Sequence, residues 1–211
     1  DERRLRELLV RGCRYALAGV VPLAVTGAVL AGPILDAWLG SRYAVAGPAM
    51  AIMMSHWVLN GVLGVTAALL VALGAARELA RWAMALGAAT IVLALALIPS
   101  LGLDGAALAT AIPYVALWPY MLYVTLRAVP TPLGELARRA FAPAWTLGAA
   151  LAGALVAVRL TLDPAGALAV VATVALALTA YWGAYWALAL DDGERRLVRA
   201  MVGFARAARA G

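Results

Sequence analysis

Residues 81–127 read RWAMALGAATIVLALALIPSLGLDGAALATAIPYVALWPYMLYVTLR, two apolar runs at 82–98 and 105–126, joined by PSLGLD and flanked by arginine. A helix needs about 20 apolar residues to cross the hydrocarbon core of a bilayer, and each run is at or near that length. Neither run shows the period-two polar alternation of a barrel strand, and lipid tolerates no unpaired backbone, so both are predicted to be helices. The turn at 99–104 stops one helix and starts the next, with Asp104 placed to cap exposed amides and to favour the helix dipole. Arg77, Arg81 and Arg127 then fall on one side of the membrane.

Outward from this hairpin, further apolar runs cover 16–35, 46–73, 141–158 and 165–190. The sequence therefore predicts an all-α integral membrane protein with six transmembrane helices. All 17 basic residues are arginine. With six spans, Arg3, Arg4, Arg6, Arg11, Arg14, Arg77, Arg81, Arg127, Arg138, Arg139, Arg195, Arg196, Arg199, Arg206 and Arg209 share one side, against Arg42 and Arg159 on the other. Basic residues accumulate on the cytoplasmic side, so the expectation is a multi-pass protein of the bacterial inner (plasma) membrane with both termini cytoplasmic.

The formal net charge of +6 would suggest nucleic acid, but the arginines form no single face and 65% of residues are hydrophobic. The charge reads as topology and as contact with anionic phospholipids, with no nucleic acid among the partners. Cys13 is the only cysteine, which excludes an internal disulfide and a cysteine metal cluster. Residues 1–14 read as a cytoplasmic amphipathic lead-in. In the tail at 191–211, Arg195, Arg199, Arg206 and Arg209 gather opposite Leu197, Met201, Phe204 and Ala208, a basic amphipathic helix on the inner leaflet. The start at Asp1, with no methionine and no cleavable signal, suggests a fragment or a truncated reading frame.

The most polar intramembrane spot is in the second run, where His56 and Asn60 stand four apart beside Ser55. An intramembrane ionisable residue is a functional candidate because it must face a cavity or a partner. The plainer reading is a hydrogen bond to a neighbouring helix, worth about 1 kcal/mol. That run is long enough that it must tilt, kink or begin in the interface. Tyr114 follows Pro113 in the fourth helix, where Pro113 and Pro119 remove backbone donors, and it joins His56 and Asn60 as a candidate cavity-facing residue. No catalytic residue is assigned: the acidic residues lie near helix ends or in the tails, so no triad or carboxylate pair can be drawn. A single histidine without ligands at suitable spacing argues against a metal, and no cofactor is expected.

Gly105 and Ala109, and likewise Ala149, Gly153 and Ala157, are small residues at four-residue spacing and predict close helix contacts. Trp38 and Tyr43 suit an outer aromatic belt, and Tyr181, Trp182, Tyr185 and Trp186 an inner one. Arg159 can snorkel to the outer headgroups beside Asp163.

Three stretches carry a family resemblance. Residues 98–112 (IPSLGLDGAALATAI) resemble the "iP.fGi.GAAlAt" segment of polysaccharide-export flippases in the multidrug/oligosaccharidyl-lipid/polysaccharide (MATE-like) superfamily. Residues 33–46 (PILDAWLGSRYAVA) look like its "pil.lwlG.ey..a" segment, and 59–74 (LNGVLGVTAALLVALG) like its "l.g...v....L.alG" helix, in the same order and spacing. The resemblance implies part of a MATE-like flippase fold: two lobes around a central cavity, with 15–128 as the last four helices of the second lobe and 129–190 as an additional C-terminal helix pair. It implies alternating access that carries a polyprenyl-pyrophosphate-linked (undecaprenyl) oligosaccharide to the outer leaflet for surface polysaccharide export, with an N-terminal lobe of the same transporter as partner. It transfers packing positions, namely Gly102, Gly105, Ala106, Ala107, Ala109 and Thr110, with Gly40, Tyr43 and Gly74 at helix boundaries, and no reaction site.

A drug antiporter of the same superfamily would need an intramembrane carboxylate for ion coupling, and none occurs in the six runs. A membrane-embedded enzyme of polyprenyl-linked glycan assembly would need catalytic acids outside the membrane, where the outer connections offer only Asp36, Asp104 and Asp163. A non-transporting scaffold is the remaining reading. The sequence favours the transporter and not an enzyme.

Overall fold

The structure, a computed structural model, describes residues 2–162, 164 and 166–189, and within them it is built from helices. The elements are α1 (Glu2–Val29), α2 (Ala31–Leu39), a 3-10 turn (Ser41–Ala46), α3 (Gly47–Ser55), α4 (Trp57–Asn60), α5 (Leu63–Ala72), α6 (Ala76–Ala128), α7 (Leu133–Leu136), a π turn (Ala137–Phe141), α8 (Ala142–Leu162) and α9 (Ala167–Leu188). Helices α1, α6, α9 and the run 133–162 are each long and apolar enough to cross a membrane; Ser41–Asn60 and Leu63–Ala72 qualify together as a bent pair.

α1 is the central post. Its buried stripe runs Leu9, Val10, Cys13, Arg14, Leu17, Val21, Pro22 and Val25, at the three- and four-residue spacing of one helix face. Residues 2–14, expected as a cytoplasmic amphipathic lead-in, are continuous with this helix, and Leu9 to Arg14 extend its buried stripe. Arg6 fixes that end by donating from Nε and Nη2 to the Pro130 carbonyl, at 3.0 and 2.7 Å. The sequence-predicted tail at 191–211 lies outside the described residues, as does Asp163.

The connection expected at 36–46 is tighter than a loop. α2 runs to Leu39, Gly40 reverses the chain at φ 92°, and the 3-10 turn leads into α3. A Cβ on Gly47 would lie 3.1 Å from the Gly32 Cα, so α2 and α3 meet backbone to backbone.

α6 folds back on itself. Gly102 alone leaves helical geometry (φ 56°, ψ −124°). Across that point Tyr120 donates to Glu78 Oε2 at 2.9 Å, and the rings of Trp82 and Tyr114 lie 5.9 Å apart. Residues this distant in sequence meet only if limbs 76–101 and 103–128 run antiparallel, since a straight helix rises about 1.5 Å per residue. The expected turn at 99–104 thus contracts to one residue. Gly105 lies against the carbonyl of Leu97 and the amide of Ile98, where any Cβ would collide with backbone.

α8 packs on α1 through Ala144, Gly148, Leu151 and Leu155, with Gly148 against Val21. The predicted seam at Ala149, Gly153 and Ala157 faces outward instead. Both stripes are small and apolar, but only the first pairs small residues with leucines that fill the space beside α1. In α9, Tyr181 and Tyr185 are buried and stacked, with centroids 6.1 Å apart, so they are core residues and not belt. Trp38 and Tyr43 are exposed as a belt requires.

Arg6, Arg14, Arg138 and Arg139 gather at one end of the bundle, with Pro130 and the last turn of α9. The other end holds the Gly32 and Gly47 contact and Arg159, which donates to the Val29 carbonyl at 3.0 Å.

Candidate functional site

The second rod breaks where its polar residues are. His56 separates α3 from α4, Asn60 ends α4, and after Gly61 and Val62 the rod resumes as α5, with the two parts bent by 46°. His56 and Asn60 are 4% and 1% exposed, so neither faces open space within the described chain. Asn60 Nδ2 donates to the His56 carbonyl at 3.0 Å, a bond inside its own turn, and leaves Oδ1 without a protein partner. The His56 ring lies against the carbonyls of Ile52 and Met53, yet Nδ1 makes no hydrogen bond of good geometry.

The structure brings His56 to Tyr114, with ring centroids 5.0 Å apart, and Tyr114 in turn meets the edge of Trp82. Trp82 is buried and its Nε1 is also without a partner. A buried polar atom left unpaired costs about 1–3 kcal/mol, so this arrangement is one the fold keeps against a penalty. Two of the three predicted cavity residues therefore share a ring contact, and the third, Asn60, sits one turn along the same helix face as His56.

The break is held from outside by indoles. A regular helix would aim the carbonyls of Val58 and Leu59 at the amides of Val62 and Leu63. Here Trp145 of α8 donates to the Val58 carbonyl at 3.0 Å, and Trp118 of α6 to the Leu59 carbonyl at 3.1 Å. Phe141 wedges between those two rings, 5.9 Å from Trp118 and 4.8 Å from Trp145. From the opposite side α1 closes in: a Cβ on Gly61 would lie 3.0 Å from Val20. Sequence reading missed Trp82 and Trp145. The signal for Trp145 was a tryptophan inside an apolar run, whose N–H needs an acceptor when buried; Trp82 opens its run and, buried, has no acceptor.

The family-motif residues occupy the α6 fold-back. Gly102 makes the turn, while Gly105, Ala107 and Ala109 are buried. Ala106 and Thr110 are half-buried and, with Met50 and Met53 of α3, line a cavity of about 410 Å³. Gly40 and Gly74 both have positive φ at helix ends, and Tyr43 is exposed. Among the described residues no three His, Cys, Asp or Glu side chains converge as a metal site would need. No protein-family model, curated protein or solved structure matches the chain.

Proposed function

We propose that the chain is the C-terminal part of a flippase that moves a polyprenyl-pyrophosphate-linked oligosaccharide across the bacterial inner membrane by alternating access. In this reading it crosses six times, the rods being α1 with α2, α3 to α5, the two limbs of α6, α7 to α8, and α9. Both termini lie in the cytoplasm, on the arginine-rich side. The reading draws on the three ordered stretches that resemble polysaccharide-export flippases. The observation that carries it is the discontinuous second rod, broken at buried His56 and Asn60 and gripped by Trp118 and Trp145. Transporters use such breaks to put polar backbone and side chains at membrane depth while leaving a point about which helices can rock.

The test is a strain lacking the intact gene, complemented with wild type or His56→Ala. The expected result is that wild type restores surface polysaccharide, whereas the variant at equal protein abundance accumulates the lipid-linked intermediate on the inner leaflet. Loss of activity only in proportion to loss of protein would return His56 to a packing role. A drug-efflux defect without a polysaccharide defect would overturn the cargo.

A further inference from the structure

Met50, Met53 and His56 stand at three-residue steps along the first part of the second rod. Met50 and Met53 of α3 line the cavity of about 410 Å³, whose facing wall is Leu103, Ala106, Ala107 and Thr110 of α6. His56 meets Tyr114 of the same limb, with ring centroids 5.0 Å apart. Residues 103, 107, 110 and 114 recur at three- and four-residue steps and share one face of that limb. All three side chains therefore front one strip of α6. Met54 packs on α1 instead, its Sδ 3.2 Å from where a Cβ on Gly27 would lie. His56 is buried, and its Nδ1 has no hydrogen-bond partner although it lies against the carbonyls of Ile52 and Met53, the turn that carries the second thioether. Among the described residues, no charged side chain lines the cavity.

We propose that Met50, Met53 and His56 form a binding site for a soft monovalent cation, Cu(I), with two thioether sulfurs and one imidazole nitrogen as ligands. Helix neighbours three apart stand about 5–6 Å between Cβ atoms, a gap that flexible methionine side chains close around one ion. Thioethers select Cu(I), and imidazole also suits copper, whereas magnesium and calcium need carboxylate, carbonyl or water oxygens. No carboxylate or thiol is required, because thioether sulfur and neutral imidazole bind a metal without losing a proton. The three donors carry no charge, so the occupied site holds a single positive charge; a divalent ion would leave twice that in an apolar surrounding. Filling a gap between helices is the competing role of the two methionines, and it places no demand on sulfur. The site goes beyond the proposed transport and does not rest on its cargo.

The test measures transfer of Cu(I) to the full chain in detergent micelles, without oxygen, from a chromogenic Cu(I) chelator of known affinity. Wild type should take up one Cu(I) per chain, with sulfur and imidazole in its coordination shell by X-ray absorption, and Zn(II) should not displace it. The double variant Met50→Leu, Met53→Leu keeps volume and hydrophobicity, so it should fold as wild type does. Its Cu(I) affinity should fall by more than about a hundredfold, since residues that only support a ligand are already worth about 10–100-fold. Circular dichroism checks the fold; if the pair disturbs it, the single variant Met53→Leu carries the comparison, with a loss of about tenfold or more. In His56→Ala the imidazole signature should vanish from the spectrum. Met54→Leu and Cys13→Ala should bind as wild type does. No uptake by wild type, unchanged affinity in the methionine variants, persistence of the imidazole signature, or equal loss in either control would each overturn the proposal. Failure here with intact polysaccharide transport would leave the proposed function standing.

Discussion

Trp182 donates its indole N–H at 3.1 Å to the carbonyl of Ala18, the acceptor that Pro22, four residues on in α1, cannot serve because it has no amide hydrogen. The same solution recurs one rod length away. Pro33 leaves the carbonyl of Val29 without its helical amide, and Arg159 takes it at 3.0 Å. With Trp145 on Val58 and Trp118 on Leu59, four backbone acceptors at prolines or helix breaks are met by side chains from distant helices. In lipid no water can do that task, so these bonds join helix geometry to bundle assembly.

Replacing Trp182 by Phe should destabilise the bundle by about 1 kcal/mol, the net value of one such bond. In a Pro22→Ala background, where a helical amide can serve Ala18, the same substitution should cost much less. Unfolding titrations in mixed micelles, arranged as a double-mutant cycle, measure this, and strictly additive losses would show that the indole contributes only packing.

Gly102 and Gly105 should be intolerant for different reasons. Gly102→Ala forces a side chain into a backbone region open almost only to glycine, at about 1–3 kcal/mol. Gly105→Ala drives a methyl group into the Leu97 carbonyl and should separate the two limbs of α6. Gly153→Ala, with nothing within 4 Å, should be neutral or stabilising by about 0.5–1 kcal/mol. Equal effects at Gly105 and Gly153 in the same titration would be incompatible with the fold-back.

Trp118→Phe and Trp145→Phe keep an aromatic ring and remove the donor at the break of the second rod. Each should cost about 1 kcal/mol and speed hydrogen exchange of the amides at 61–63 without changing exchange in α9. Uniform acceleration throughout the chain would mean that the indoles stabilise the bundle globally and do not pin the break.

Cys13 is 1% exposed and faces the core from α1. A membrane-permeant maleimide should leave it unlabelled in the folded protein and label it fully in denaturant. Rapid labelling of folded protein would be incompatible with Cys13 packed in the core beside Leu9 and Leu17.

The candidate site was half legible. His56 and Asn60 stood out because polar residues inside an apolar run are expensive, and their four-residue spacing put them on one helix face. That the rod breaks there was foreshadowed by its excess length. Its anchors were not readable, because Trp118 and Trp145 lie 59 and 87 residues from the carbonyls they serve and nothing local pairs them. Likewise, two stripes of small residues ran along α8, and sequence spacing preferred Ala149, Gly153 and Ala157 over the Ala144 and Gly148 stripe that α1 uses.

Hydropathy and charge are sums along the chain, so the sequence alone determined the apolar runs, the hairpin around Gly102 and the concentration of arginine at one set of connections. Which face of each helix meets a neighbour is not such a sum. Lipid is as apolar as leucine, so every face of these helices is acceptable to the bilayer, and the choice falls to shape, close backbone approach and the demand of orphaned carbonyls for donors. Only the tertiary structure decided that Tyr181 and Tyr185 turn inward, that residues 2–14 continue α1, and that Trp182 finds Ala18.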